Sequence, residues 1–416
     1  MSTIAEEILS RRVGKRVAAG EIVTVEPDVV MSHDNTAFIV KRFLETGRTR
    51  VWDPDKIVIA FDHCVPAVDP EHERNHREAR EFAAAQGIER FFDAGVGVCH
   101  QLMVERGFAR PGRLVLGADS HSTLYGAVNA LGVPINRTEM AGIWATGQIW
   151  LKVPESIRVW LEGELPAGVS TKDAVLKLLR ELRADGATYA SLEFHGEGVA
   201  GLSLASRMTL TNMAVELGAK AGVFPCDAVT EAHLRERGYE DYELAAPSAD
   251  ARYSSEVRLD LGALEPQVAC PHTVDNVTDL SAVAGTRVHQ AYLGSCTNGR
   301  LEDLALAARI LAGKRVKEGV RLVVYPASSE VRAAAEAAGV WQTLADAGAE
   351  LMSASCGPCF GAVGATLQPG EVCISSSNRN FCGRMGSKEA EVYLASPAVV
   401  AASCLEGAIA DPRSYL

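Results

Sequence analysis

Short apolar segments alternate with longer helical segments along most of this chain. The apolar segments that are typical of strands are Lys56–Phe61, Arg113–Gly117, Val288–Leu293 and Arg321–Tyr325. The longer segments are rich in Ala, Leu and Glu and predict helices over Glu71–Gln86 and Ser329–Ala347. This alternation predicts an α/β fold, in which helices pack on layers of sheet.

Domain boundaries have to be taken from changes of pattern, because no repeat, low-complexity tract or long linker divides the chain. One change falls at Val153 and Pro154, before the strand-like segment Ser156–Glu162. Another falls in the polar segment Asp275–Ala284. These positions predict three α/β domains, over residues 1–154, 155–284 and 285–416.

Composition narrows the class of protein. The 416 residues are 47% hydrophobic and 23% charged, which is typical of a globular protein with several packed domains. The net charge of −12 is spread along the chain without a block of Lys or Arg, so nucleic acid and anionic membranes are not the expected partners. The amino-terminal segment lacks the apolar core of a signal peptide, and no run approaches the ~20 apolar residues of a membrane span. We therefore expect a cytoplasmic protein.

Ten cysteines in a chain of this size indicate a metal site, because a large core needs no disulfides and cytosolic thiols stay reduced. The pair Cys356 and Cys359, in SASCGPCFG, encloses a Gly-Pro turn that directs both thiols at one centre. Alone, the pair fits zinc, redox chemistry or an iron–sulfur cluster. Isolated cysteines that we interpret as small hydrophobic side chains are Cys64, Cys99, Cys226, Cys270, Cys373 and Cys404.

Cys296 supplies a third thiol, in YLGSCTNGR at the carboxyl end of a predicted strand, where α/β sheets bind ligands. A zinc site commonly has a second close cysteine pair, and a thioredoxin-type pair needs no third thiol, so a cluster is favoured. Three cysteines leave one iron of a 4Fe–4S cluster open to water or substrate, which is a catalytic arrangement. Cys382 as a fourth ligand would suit electron transfer instead, and the residues alone leave that alternative open.

Charged side chains follow other predicted strands. Arg379 and Arg384, in NRNFCGR, favour carboxylate binding over two surface arginines, because guanidinium groups bind carboxylates in bidentate fashion. Asp62 precedes His63, and Asp119 lies two residues before His121. An acidic neighbour orients an imidazole and raises its pKa, which suits a proton donor to a departing hydroxyl.

Two other histidine motifs are interpreted without a ligand. His100 follows a Gly-Val-Gly stretch that lacks the last glycine of the dinucleotide fingerprint, so we reject nucleotide binding. His72 and His76 lie one helical turn apart in EHERNHRE and are interpreted as part of a solvated charged face rather than a metal pair.

Several longer motifs carry a resemblance to a known family. They are FDHCVP, GVGVCHQ, GADSHST, TNMAVELGAKAG, YLGSCTNGR, SCGPCFG and SSSNRNFCGRMGS. In this order they resemble, over essentially the whole chain, the aconitase family, and in particular the large subunits of 3-isopropylmalate dehydratases and homoaconitases. The resemblance implies three α/β/α domains around an iron–sulfur cluster, without the family's swivelling fourth domain.

The resemblance also implies roles for individual residues. Cys296, Cys356 and Cys359 would bind a 4Fe–4S cluster, one iron of which takes the substrate's hydroxyl and carboxylate, and Cys382 would not be a ligand. Asp62 and His63 would transfer the proton to the leaving hydroxyl, and His100, Asp119, His121 and the carboxylate of Glu216 would support this pair. Asn212 and Asn378 would contact the cluster. The implied substrate contacts are His33, Ser120, Arg379 and Arg384.

Two departures from the family pattern matter. Leu124 stands where aconitase has a polar Asn after its DSH motif. The chain also has no counterpart of the fourth domain, which in the family supplies the serine base that removes the carbon-bound proton. We therefore expect a separately encoded small subunit that carries the swivelling domain.

The expected function is that of the large catalytic subunit of a hydro-lyase, which moves a hydroxyl between adjacent carbons of a hydroxy di- or tricarboxylate. A 3-isopropylmalate dehydratase is the leading expectation. Homoaconitase and a 2,3-dimethylmalate- or methylcitrate-type dehydratase are the enzyme alternatives. An iron–sulfur electron-transfer protein and an RNA-binding protein are the alternatives outside this chemistry.

Overall fold

Mostly parallel sheets flanked by helices make up the protein, as the predicted α/β class requires. The computed structural model describes residues 2–361 and 363–416. Within those residues the strands form three large sheets and one two-stranded ribbon. None of the helices in this described part is long and apolar enough to cross a membrane.

The chain up to Lys152 forms the first sheet and the ribbon. Its helices and strands are α1 (Ile4–Val13), β1 (Ile22–Val25), β2 (Val29–Ser32), α2 (Thr36–Glu45), β3 (Ile57–Ala60), α3 (Pro70–Gln86), β4 (Phe91–Phe92), α4 (Cys99–Glu105), β5 (Leu114–Gly117), β6 (Leu131–Pro134), α5 (Arg137–Thr146) and β7 (Ile149–Lys152). The sheet has the order β4-β3-β2-β5-β6 with parallel pairing throughout. The ribbon pairs β1 antiparallel with β7.

Strands β2, β3 and β5 are buried on both faces, which accounts for their continuous hydrophobic sequences. Alternate side chains enter different cores: Ile59 packs in one apolar cluster and its neighbour Ala60 in another. Because the strands are parallel, their carboxyl ends meet at one edge of the sheet. His33, Asp62 and Asp119 follow the three strands by one or two residues and therefore lie at that edge.

The middle of the chain forms the second sheet. Its elements are β8 (Ser156–Glu162), α6 (Thr171–Leu182), β9 (Ser191–His195), α7 (Leu204–Asn212), β10 (Ala221–Val223), α8 (Ala228–Glu236) and β11 (Ser255–Asp260). The strand order is β10-β9-β8-β11, again with parallel pairing.

The third sheet takes up the rest of the chain. Its elements are β12 (Gln267–Ala269), β13 (Val277–Asp279), β14 (Gln290–Leu293), α9 (Ser295–Asn298), α10 (Leu301–Leu311), β15 (Arg321–Val324), α11 (Ser329–Ala337), α12 (Val340–Asp346), β16 (Glu350–Leu351), β17 (Val372–Ser375), β18 (Glu391–Leu394) and α13 (Pro397–Glu406). The order is β13-β12-β18-β17-β14-β15-β16, parallel except where β12 pairs with β18 and with β13. Strands β12 and β13 belong to this sheet although they precede residue 285, the predicted start of the third domain. The three domain ranges therefore stay predictions.

The single helix predicted over Ser329–Ala347 is two helices, α11 and α12. Gly339 separates them, with φ at 72°, a left-handed conformation that ends α11 and redirects the chain. The apolar spacing continues across the break because both helices pack on the core of the third sheet, through Val331 and Leu344. Periodicity alone therefore missed the turn.

The first and second sheets meet at a contact that requires glycine. Gly126 belongs to the 3₁₀ stretch Ser120–Val128, and a Cβ added there would lie 1.6 Å from the carbonyl oxygen of Gly222 in β10. The Gly126 carbonyl also accepts a hydrogen bond of 3.0 Å from the backbone N–H of Phe224. The same stretch carries His121, so this contact fixes part of the site described below.

We predict that Gly126→Ala lowers the free energy of unfolding by about 3 kcal/mol or more, because the new methyl group overlaps a backbone oxygen that has no room to move. Gly142→Ala is the matched control: Gly142 lies inside α5, nothing lies within 4 Å of an added Cβ, and its φ is not positive. The control is expected to gain about 0.5–1 kcal/mol from better helix propensity. Urea unfolding midpoints measure both changes, and equal midpoints for the two variants would contradict the packing argument.

Candidate active site

A cavity of about 610 Å³ opens where the carboxyl edge of the first sheet faces the loops of the third. Predicted site residues that line it are His33, His63, His100, Asp119, Ser120, His121, Cys296, Cys356, Cys359, Asn378, Arg379 and Arg384. The remaining predicted residues, Asp62, Asn212 and Glu216, are buried behind this lining and hydrogen bond to it. The structure thus brings the whole predicted set together.

Three buried thiols form one wall of the cavity. Cys296 lies in α9, directly after β14, and Cys356 and Cys359 flank the Gly-Pro turn as predicted. Each is 5% exposed. The backbone N–H of Cys356 donates to the carbonyl of Asp62 at 2.9 Å, and the hydroxyl of Tyr292 donates to the carbonyl of Cys356 at 3.0 Å. These bonds hold the cysteine turn against both sheets.

The surroundings of the thiols fit metal-bound thiolates. The side-chain amides of Asn212 and Asn378 place their Nδ2 atoms 3.2 Å and 3.5 Å from Cys296 Sγ, and an amide N–H donor stabilises negative sulfur. Burial raises the pKa of Cys296 to about 12, and the charge of Cys359 adds to the shift. Three thiolates on one cavity need a positive centre, which an iron–sulfur core would provide.

A row of neighbouring histidines and carboxylates lies along and behind the lining of the cavity. His63 Nδ1 donates to Asp62 Oδ1 at 2.6 Å, and its Nε2 lies 3.5 Å from Asp119 Oδ2. His100 Nε2 is 2.7 Å from Asp119 Oδ1, which also accepts the backbone N–H of His121 at 2.8 Å. Burial lowers the pKa of His63, but the charges of Asp62 and Cys356 outweigh it, so that the pKa lies well above its usual value.

The last members of this row of histidines and carboxylates form a buried ion pair with Arg379. His121 Nε2 lies 2.8 Å from Glu216 Oε1, and Arg379 Nε donates to the same oxygen at 2.8 Å. Burial alone would raise the pKa of Glu216, but the hydrogen bonds and charges of His121 and Arg379 hold it below its usual value. Arg384 borders the cavity beside them, with its guanidinium 5.3 Å from the ring centre of Phe360. Within the described residues its Nε has no hydrogen-bond partner.

The other residues singled out in the sequence lie in or near the same cavity or at the surface. His33 stacks on His63 with ring centres 4.1 Å apart, and Ser120 Oγ lies 3.4 Å from His121 Nδ1. Leu124 is buried in an apolar cluster beside the cavity and does not replace the polar contact of the family pattern. Cys382 is exposed, and its thiol donates to the carbonyl of Lys388.

Comparison with known proteins decides the family. The family model described as the aconitase family (aconitate hydratase) matches residues 6–287 and 281–407. The chain belongs to the aconitase family. It is 50% identical over 415 residues to the 3-isopropylmalate dehydratase large subunit 1 of Methanopyrus kandleri, covering 100% of this chain and 99% of the relative. It is 47% identical over 413 residues to the homoaconitase large subunit of Thermus thermophilus, covering 99% and 97%.

A solved structure agrees with the fold of this aconitase-family protein. Aconitase X of Thermococcus kodakaraensis, in its holo form, matches with a TM-score of 0.50 at 12% identity and covers 91% of this chain and 90% of that one. The predicted α/β class, the family resemblance and the prediction of a hydro-lyase are confirmed. Membership of the family also implies an iron–sulfur cluster.

Sequence reasoning missed Asp34. Its Oδ2 accepts the backbone N–H groups of Asp62 at 2.9 Å and of His63 at 2.8 Å. Its Oδ1 accepts the N–H of Cys64 at 3.0 Å and lies 2.7 Å from His76 Nε2. One buried carboxylate therefore holds three successive residues of the loop after β3. Its position at the end of β2, next to His33, was the available signal.

The interpretation of His76 as part of a solvated face is wrong. His76 is 4% exposed, bonds to Asp34 and stacks on Phe61 with ring centres 4.1 Å apart. The charged sequence around it covers the exposed side of α3, while this one position turns inward toward the loop after β3. His72, one turn earlier, remains partly exposed near the surface.

We predict that Asp34→Asn lowers turnover by the complete enzyme about 10–100-fold, the usual cost of losing a group that orients an active-site residue. Both Asp34 oxygens accept N–H donors, so the amide nitrogen of Asn would face two donors in either orientation. Asp69→Asn is the matched control, because Asp69 caps α3 at His72, and its side chain is 47% exposed. Steady-state kinetics measure the effect, and turnover of Asp34→Asn equal to that of the control would show that the loop is held by other contacts.

Proposed function

We propose that this chain is the large subunit of a hydro-lyase that isomerises 3-isopropylmalate by dehydration and rehydration. One observation carries the proposal: three buried thiols, the imidazole of His63 that Asp62 orients, and two guanidinium groups border a single cavity. Relatives named 3-isopropylmalate dehydratase large subunits, at 50% and 47% identity, support this substrate. Homoaconitase is the second candidate, because relatives with that name are 48% and 47% identical.

The wall of the cavity supports a substrate with a branched aliphatic group. Ala118, Pro134 and Ile135 give this wall an apolar stretch. The ammonium of Lys220, in the same wall, donates a hydrogen bond of 2.8 Å to the carbonyl of Pro134. The apolar stretch supports an isopropyl group at this position, whereas the remaining N–H groups of Lys220 and the neighbouring Arg137 would suit the second carboxylate of the homoaconitase alternative.

We infer that Cys296, Cys356 and Cys359 hold a cluster of the 4Fe–4S type. When bound, such a cluster supplies a Lewis-acidic iron without a protein ligand, which polarises the substrate's hydroxyl. The amide donors of Asn212 and Asn378 at Cys296 support the thiolate form of that ligand. The exposed position of Cys382 supports three ligands rather than four.

His63 acts as the proton donor in this proposal. Asp62 holds the Nδ1–H, so the Nε2–H faces the cavity beside Asp119. As the base of the small subunit removes the carbon-bound proton, the electrons of that C–H bond form the double bond, the carbon–oxygen bond breaks, and the departing hydroxyl takes the Nε2 proton and leaves as water. The raised pKa favours the protonated form of His63 that this step requires. Rehydration on the adjacent carbon reverses the same transfers.

The remaining residues bind and orient. Arg379 and Arg384 would hold substrate carboxylates, with His33 and Ser120 as further substrate contacts. His100 would keep Asp119 in place through its 2.7 Å bond. In the same way, His121 and Glu216 would orient Arg379.

A small subunit should supply the base that removes the carbon-bound proton. Among the described residues in and behind the lining, each carboxylate already accepts hydrogen bonds: Asp62 from His63 and Cys99, Asp119 from His100 and His121, Glu216 from Arg379, and Glu139 from Asn136. Relatives that are named large subunits support a partner of this kind. The chain itself would supply the acid half of the reaction.

We predict that anaerobic reconstitution gives the wild-type chain about four irons and a visible thiolate-to-iron absorption band. Cys356→Ser should lose most of both, because serine is a poor ligand for iron in such clusters. Cys382→Ser is the matched control and should reconstitute like the wild type. Loss of the cluster in Cys382→Ser would favour the electron-transfer alternative, in which this thiol is the fourth ligand.

We further predict that the chain alone turns over hydroxy-acids at least about 10²-fold more slowly than the chain with its small subunit, since a missing general base costs this much. The pair should prefer 3-isopropylmalate to the hydroxy tricarboxylate substrate of a homoaconitase by about tenfold or more in kcat/KM. Both substrates are followed by the absorbance of their unsaturated intermediates. A reversed preference would assign the chain to homoaconitase, and full activity without a partner would contradict the division of acid and base.

A further inference from the structure

Lys172 occupies a position that is unfavourable for a cation. It is 0% exposed and lies in the first turn of α6, which begins after the N-cap Ser170. The amino-terminal end of a helix carries partial positive charge, so an ammonium group there is repelled rather than stabilised. Burial also lowers the pKa of Lys172, to about 7. A lysine kept here requires partners that compensate for these costs.

The first compensation comes from backbone oxygens on the third sheet. The ammonium of Lys172 donates to the carbonyl of Ser376 at 3.1 Å and to the carbonyl of Ser377. These two residues follow β17 and lead directly into Asn378 and Arg379, which contact Cys296 Sγ and Glu216 respectively. Lys172 therefore joins the second sheet to the loop that carries two site residues.

The second compensation is charge. Burial is the largest influence on the pKa of Lys172, and the groups that oppose it are, in decreasing order, Cys359, Asp173, Glu216 and Asp303. Asp173 is itself held by the backbone N–H groups of Ser170 and Gln267. Glu216 is paired with Arg379. The thiol of Cys359 also lies against the loop that Lys172 holds, with its Sγ 3.6 Å from Asn378 Oδ1, and it lines the cavity.

We propose that Lys172 is a positioning residue for the iron–sulfur cluster, which holds the Ser376–Arg379 loop and places a buried positive charge behind Cys359. The inference rests on the proposed function, in which three thiolates carry the cluster. In its ammonium form Lys172 would stabilise the more negative, reduced form of the cluster, so this form should raise the reduction potential. No contact between Lys172 and substrate is needed.

Three substitutions separate charge from hydrogen bonding. Lys172→Met removes both, Lys172→Gln removes the charge and keeps an amide donor for the carbonyls, and Lys172→Arg keeps the charge. Lys314→Met is the matched control, because Lys314 also donates to a backbone carbonyl, that of Ile310 at 2.9 Å, but is exposed. Each protein is reconstituted anaerobically and titrated with reductant while the visible and electron paramagnetic resonance spectra are recorded.

We expect the equilibrium constant for one-electron reduction to fall about tenfold in Lys172→Met and in Lys172→Gln, which is a shift of about 59 mV to more negative potential. Lys172→Arg and Lys314→Met should keep the wild-type potential. Wild-type potential in Lys172→Gln, whether or not Lys172→Met shifts, would overturn the assignment of a charge effect. Unfolding of the unreconstituted variants is followed in parallel by circular dichroism.

Folding failures also decide the proposal. If the two neutral variants do not fold while Lys172→Arg folds with the wild-type potential, a cation is required at this position, as proposed. If Lys172→Arg fails as well, the length and packing of lysine are what the site requires, and the proposal is overturned. A wild-type chain that takes up no cluster would contradict the proposed function, whereas a reconstituted wild type with unshifted neutral variants contradicts only the role of Lys172.

Discussion

Asp62 is the residue through which the two halves of the site depend on each other. Its backbone carbonyl accepts the N–H of Cys356, its Oδ1 holds the imidazole of His63, and its Oδ2 accepts the N–H of Cys99 at the start of α4. The side chain is fully buried, so each of these bonds must be made to offset the cost of desolvating a carboxylate. The geometry of the proton donor relative to the thiols therefore follows from the bonding of one residue, and Asp34 fixes the loop from the opposite side.

Much of this arrangement is predictable because the residues that follow the strands of a parallel sheet meet at one edge of that sheet. The strands ending at Ala60 and Gly117 are continuous hydrophobic segments, so the polar residues after them had to meet at the carboxyl edge. The same logic located Cys296 after β14. The roles of Asn212 and Glu216 followed only from the family resemblance, since their spacing in a helical stretch is that of any helix face.

The features that sequence reasoning missed depend on contacts between distant parts of the chain. Asp34 and His76 act on a loop that begins at Asp62, and the local pattern around them does not show which polar atoms of that loop they meet. Lys172 lies in an ordinary amphipathic helix, and its partners are about 200 residues away in sequence. Periodicity also could not detect the turn at Gly339, because the apolar spacing continues through it. Local patterns report which face of an element is buried, but not which polar atom it meets there.

The distances in sequence explain why formation of the site and folding of the chain are one event. Asp62 and Cys356 are 294 positions apart in sequence, and both their backbones and their side chains are hydrogen bonded. Arg379 and Glu216, which are 163 positions apart, are joined by side-chain hydrogen bonds. Each such bond crosses between sheets, so it forms only when both sheets are in place. A contact remote from the chemistry, such as that of Gly126 with Gly222, then bears on the site, since Gly126 lies in the same 3₁₀ stretch as His121. Preorganisation of this kind is what lets buried charges face a reacting group without moving during the reaction.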